Sequence, residues 1–77
     1  MSFKDRVEEC FSSLTQSDIL IVTELKSHPV DAALWKGEDV ARRVGVHPSA
    51  ATRLAQRLGY RGYLELREDL RVDREEL

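Results

Sequence analysis

Cysteine occurs once in this chain, at Cys10, and proline only twice, at Pro29 and Pro48. A lone cysteine excludes an internal disulfide and fits a reducing compartment. No run approaches the roughly 18 apolar residues of a membrane-spanning helix, so no membrane role is expected. The opening Met1-Ser2-Phe3-Lys4-Asp5-Arg6 has no apolar stretch of the kind a secretion signal carries, and a cytoplasmic location is expected. Catalytic signals are missing as well. His28 and His47 fall at helix ends with no carboxylate at fixed spacing, and Cys10 lies on an apolar helical face. There is no metal-ligand cluster, glycine-rich phosphate loop or nucleophile elbow. The expectation is a protein without catalytic residues, metal or cofactor. Repeats, low-complexity tracts and Gly/Pro/Ser-rich linkers are also lacking, which leaves one domain over residues 1–77. A chain of that length buries only about 60% of the surface it would expose unfolded, so its stability is modest.

Charge is present in quantity but unevenly placed. Charged residues make up 34% of the chain, with a formal net charge of −2. Residues 1–41 carry a net −4 and residues 68–77 a net −3, whereas residues 42–67 carry a net +5. Six arginines, at positions 42, 43, 53, 57, 61 and 67, stand in that middle segment against the single acid Glu65. Such a division places a positive field on one part of an acidic molecule, which is what a phosphate backbone senses. Charge alone favours the plainer reading, six arginines on solvated helix faces.

The hydrophobic spacing reads as helix after helix. Phe3, Val7, Cys10, Phe11 and Leu14 recur at i, i+4, i+7, i+8 and i+11, which predicts a first helix over residues 3–13 with Phe11 in the core. Thr15 with Asp18 three residues on forms a capping box, opening a helix over about 16–27. Its run Ile19-Leu20-Ile21-Val22 followed by Leu25 is apolar almost all round, which predicts a central position. Pro29 opens a short helix through Val30, Ala33 and Leu34. Trp35 is expected in the core. A last helix carries Tyr63, Leu66 and Leu70 on one face, and residues 73–77 form a polar tail expected to fray.

Between these lies the informative pair. A short helix at about 38–44, with Val40, Ala41 and Val44 as its apolar stripe, ends at Gly45. A second, expected over about 48–58 with Pro48 at its start, ends at Gly59. Two short helices joined by a tight glycine-containing turn are the frame of a helix-turn-helix. At about 100° per residue, Ala51, Leu54, Ala55 and Leu58 fall on the inner side of the second helix. Ser49, Thr52, Arg53 and Gln56 fall on the outer side. That stripe holds hydroxyl, guanidinium and carboxamide groups, which match the edges of bases in a major groove. It contains no acid.

Residues Val40-Ala41-x-x-Val44-Gly45-Val46, then Arg53-Leu54, then Leu58-Gly59-Tyr60-Arg61-Gly62-Tyr63-x-Glu65-Leu66 resemble the N-terminal helix-turn-helix domain of RpiR-type (MurR/RpiR) transcriptional regulators. The Leu-Gly-aromatic-x-Gly-aromatic segment is the most specific part, and the resemblance covers about residues 3–72. It implies an all-α, homeodomain-like bundle of five to six short helices and sequence-specific binding of double-stranded DNA. Arg53 falls on the family's recognition-helix arginine and Arg57 on a position usually basic. His47 stands where the family has a serine N-cap, Ala50 where threonine is frequent, and Lys36-Gly37 where Ser-Ile is frequent. Family members continue into a sugar-isomerase (SIS) domain that binds a phosphosugar effector, and that domain is expected to be absent here.

The DNA-binding residues expected from these readings are His47, Pro48, Ser49, Thr52, Arg53, Gln56, Arg57 and Arg61. Ser49, Thr52, Arg53 and Gln56 are assigned to bases. Arg57, Arg61 and one of Arg42 and Arg43 are assigned to phosphates, with His47 as helix cap and phosphate contact. Tyr60 and Tyr63 are read as wedges seating the last helix. The competing reading is a helix-turn-helix docking module without DNA binding. A docking surface should carry apolar anchors on the outer stripe, and this one has none. Leu64 and Leu77, with help from the first helix, are candidate dimer contacts. A homodimer would read an inverted repeat with half-sites about 34 Å apart, or a multiple of that.

Overall fold

A computed structural model describes the backbone of residues 2–75 and the side chains of residues 2–71. Among the described residues there are six α-helices and no strand: α1 (Phe3–Cys10), α2 (Gln16–Ser27), α3 (Pro29–Ala32), α4 (Gly37–Val44), α5 (Ala50–Arg57) and α6 (Tyr63–Glu75). The fold is therefore all-α, as the sequence implies. Among the described residues no helix is long and apolar enough to cross a membrane. Leu77 lies outside the described residues, as does the end of the tail beyond Glu75, while α6 itself continues through Glu75.

Local chemistry sets the helix ends. Ser2 caps α1 and Thr15 caps α2, each side chain accepting from the backbone N–H three residues on, where an aspartate returns the bond. Gly45 and Gly59 close α4 and α5 at φ +78° and +95°, a region that costs an L-residue roughly 1–2 kcal/mol. Both closures are Schellman motifs. Gly45 N–H bonds the Arg42 carbonyl (3.1 Å) and Val46 N–H that of Ala41 (3.0 Å). Gly59 N–H bonds Gln56 (3.0 Å) and Tyr60 N–H bonds Ala55 (2.9 Å) in the same pattern.

The core is assembled around α2, α4, α5 and α6, where Ile21, Leu25, Val40, Leu54 and Leu66 are fully buried. Each such leucine or isoleucine contributes about 1.5–3 kcal/mol over an exposed one. Tyr60 and Tyr63 are buried, and the Tyr63 ring lies beside Gly37 of α4. On the inner side of α5, Ala50, Ala51 and Ala55 are buried, and these small side chains let the helix seat closely on its neighbours.

Three expectations are corrected. Phe11 is 57% exposed rather than core. At Cys10 the backbone (φ −101°, ψ 5°) leaves the α-helical path and Phe11–Ser13 forms a 3-10 turn, so the 3.6-residue period that placed Phe11 inside stops one residue early. The second helix takes its central place through Ile21, Val22 and Leu25 but is not apolar-buried all round, since Ile19 and Leu20 are exposed. Trp35 is half-buried against the core, with the Arg43 guanidinium 4.1 Å above its ring and the His28 ring 5.6 Å away. An amphipathic indole takes such a boundary position readily.

Candidate nucleic-acid interface

The helix-turn-helix is formed by α4 and α5. Val40 and Ala41 of α4 and Ala51, Leu54 and Ala55 of α5 are buried facing inward. The outer side of α5 then presents Thr52, Arg53 and Gln56, all exposed, with Ser49 half-buried at its start. Arg53 makes no ion pair among the described residues. The fold thus brings the four residues read as base-facing onto one open stripe.

α5 begins at Ala50, two residues later than the sequence suggests. Pro48 and Ser49 form a tight turn in which Ala50 N–H bonds the His47 carbonyl at 2.9 Å, three residues back. The imidazole Nδ1 of His47 accepts the Ser49 N–H at 3.1 Å and lies 2.8 Å from Ser49 Oγ. His47 therefore satisfies one of the free donors at the start of the recognition helix, the task of a serine or threonine cap. Accepting that bond requires Nδ1 unprotonated, with the proton on Nε2.

Five of the six arginines in the basic segment divide into two groups. Arg57 binds the carboxylate of Asp18, the one buried charged residue among those described, whose Oδ2 also accepts the Thr15 N–H at 3.0 Å. Arg43 Nε donates to Glu24 Oε2 at 2.8 Å while its guanidinium covers Trp35. Arg42 lies 4.0 Å from Glu38 and 3.8 Å from Asp39, one turn back on its own helix. These three cations answer internal acids, so part of the +5 segment is neutralised within the fold. Arg53 on α5 and Arg61 in the turn before α6 are exposed, with no ion pair among the described residues.

Sequence reasoning missed Arg6. Its Nη1 donates to the Leu58 carbonyl at 3.0 Å, at the closing turn of α5, and its guanidinium stands 4.4 Å above the Tyr60 ring. Tyr60 Oη donates to Asp69 of α6 at 2.6 Å. One side chain of α1 thereby fixes the C-terminal end of the recognition helix to α6. Nothing local to Arg6 signals this, because Leu58 lies 52 residues away.

No curated protein and no solved structure matches the chain. The family model described as the helix-turn-helix domain of the rpiR family matches residues 1–75, so this chain belongs to that family and is a DNA-binding domain of a transcription regulator.

Proposed function

We propose that α5 enters the major groove of a specific operator, with Thr52, Arg53 and Gln56, and Ser49 at its start, facing base edges. Arg53 is suited to guanine O6 and N7 and Gln56 to adenine N6 and N7, each such pair worth about 1–3 kcal/mol against the wrong base. Arg61, the free donors of Arg57, and the His47-Pro48 turn lie at the phosphate walls and set register. The observation that carries this reading is the outer stripe of α5: polar, free of acids and free of apolar anchors, beside an otherwise acidic molecule. The exposed apolar residues Phe11, Ile19, Leu20, Val30, Leu34 and Leu64 all stand on other elements, so a docking role would use a different surface.

The same reading has the domain working as a homodimer on an inverted repeat, with exposed Leu64 and the α1 end as candidate contacts. The regulated genes belong to sugar or phosphosugar metabolism, as the family resemblance implies. A phosphosugar effector acts where an SIS domain follows, and the protein works in the cytoplasm. Selection of the purified chain against a random duplex pool tests the proposal. An enriched inverted repeat is expected; a pool without enrichment at low and moderate salt would contradict specific reading.

A further inference from the structure

A recess of about 270 Å³ opens beside the recognition helix, between α5 and the start of α2. Its walls include Thr15, Ser17 and Asp18 from the α2 side and His47, Arg53 and Arg57 from the α5 side. Sites for drug-sized ligands run roughly 300–1,000 Å³, so this one suits a single small group. Two guanidinium groups face one carboxylate, that of Asp18, which is only 2% exposed and already held by Arg57 and the Thr15 N–H. The recess is thus net positive inside a chain of net charge −2. A guanidinium carries five donors, and Arg57 has others besides the Nη1 that meets Asp18.

Ser17 is the unassigned member. It is half-buried on the recess wall and its hydroxyl makes no hydrogen bond among the described residues. Thr15 Oγ1 accepts from Asp18 N–H at 3.2 Å, which leaves the hydroxyl proton available to donate outward. Hydroxyls and guanidinium groups in this arrangement are the usual phosphate contacts of DNA-binding domains. A helix lying in a major groove has a phosphate wall on either side, and the recess sits directly beside the outer stripe of α5.

We propose that this recess holds one backbone phosphate of the operator, with Ser17 donating from α2, outside the helix-turn-helix, and the remaining donors of Arg57 from α5, while Arg53 at the recess edge stays with the bases. The assignment rests on the reading of α5 as a groove-entering helix. It makes α2 part of the DNA interface and fixes how far α5 can rotate about its own axis.

The test uses the full chain in three forms, wild type, Ser17→Ala and Ser17→Asp, each on the selected duplex and on its single-base substitutions. An aspartate in the first turn of α2 favours the helix through its dipole, so Ser17→Asp should fold, checked by helical circular dichroism and Tm. Ser17→Asp is expected to weaken binding about tenfold on every duplex alike and to lower the salt slope by about one phosphate. Ser17→Ala is expected to lose affinity a few-fold. Unchanged affinity and slope in folded Ser17→Asp would overturn the proposal, as would a loss confined to particular base substitutions. A wild type that binds no duplex would overturn both this and the reading of α5. Titrating inorganic phosphate separates the other source: saturable shifts at Ser17, with DNA binding insensitive to Ser17→Asp, would assign the recess to a free anion instead.

Discussion

Asp18 and Arg57 form an ion pair that ties the capping box of α2 to the last turn of α5, across 39 positions of sequence. The same carboxylate oxygen completes the cap by accepting the Thr15 N–H. One buried acid therefore both starts α2 and holds the recognition helix against it.

The two partners are not equivalent when removed. Arg57→Ala leaves Asp18 buried and without its cation, a loss expected to cost about 2–4 kcal/mol, below the full range for buried pairs because the Arg57 side chain is partly exposed. Asp18→Asn keeps a hydrogen-bonding side chain near Thr15 and leaves Arg57 able to take up water, so about 1–2 kcal/mol is expected. Urea unfolding of both variants decides this, and the reverse order would contradict the pair as described.

Two buried tyrosines make a second contrast. Tyr60 Oη donates to Asp69, whereas Tyr63 Oη is buried with no hydrogen-bond partner among the described residues. Tyr60→Phe is expected to destabilise by about 1–2 kcal/mol, while Tyr63→Phe should be neutral or stabilising by up to about 1 kcal/mol. Equal losses in thermal unfolding would show that Tyr63 Oη has a partner after all.

Burial also sets an alkaline limit. Desolvation pushes the Tyr63 phenol from 10.0 up to about 12, with the Arg67 charge pulling in the opposite direction. As pH rises past 10 the unfolded chain gives up this proton first, while the folded chain keeps it. The contribution of Tyr63 is therefore fully present below pH 10 and lost as pH climbs through about 12. Stability curves for wild type and Tyr63→Phe should run parallel up to pH 10 and diverge above it, the wild type falling more steeply. Parallel curves throughout would remove the phenol from the account.

The glycines closing the two helices differ in their surroundings. A Cβ at Gly45 would meet nothing within 4 Å, but one at Gly59 would lie 2.8 Å from Arg6 Nη1. Gly45→Ala should cost the conformational term alone, about 1–2 kcal/mol. Gly59→Ala must also displace the guanidinium that binds the Leu58 carbonyl, adding about 1 kcal/mol. Arg6→Ala in the Gly59→Ala background should then show a non-additive loss, which a double-mutant cycle measures.

Features governed by near neighbours were legible in the sequence. Thr15 with Asp18, Gly45, Gly59 and Pro29 mark helix ends by rules that span a few residues, and the inner and outer sides of α5 follow from its regular period. Phe11 falls outside the core because that period fails at the 3-10 turn, which the spacing of apolar residues does not signal. The candidate site was legible in its outer stripe and less so in its charges. Counting arginines gives six cations, yet Arg43 and Arg57 are drawn to Glu24 and Asp18, acids brought close only by folding. The contribution of α2 was hidden for the same reason, since Ser17 and Arg53 come together only when α2 packs on α5.

The most direct measurement compares wild type and Arg53→Ala on a selected operator and on every single-base substitution of one half-site, at fixed salt. Arg53 as a base reader means that the wild type discriminates at one position by about 1–3 kcal/mol, and that Arg53→Ala flattens this position while keeping the other preferences and its salt slope. A uniform loss across all sequences with a shallower slope would instead make Arg53 a phosphate contact, and an unchanged profile would remove the outer stripe of α5 from the groove.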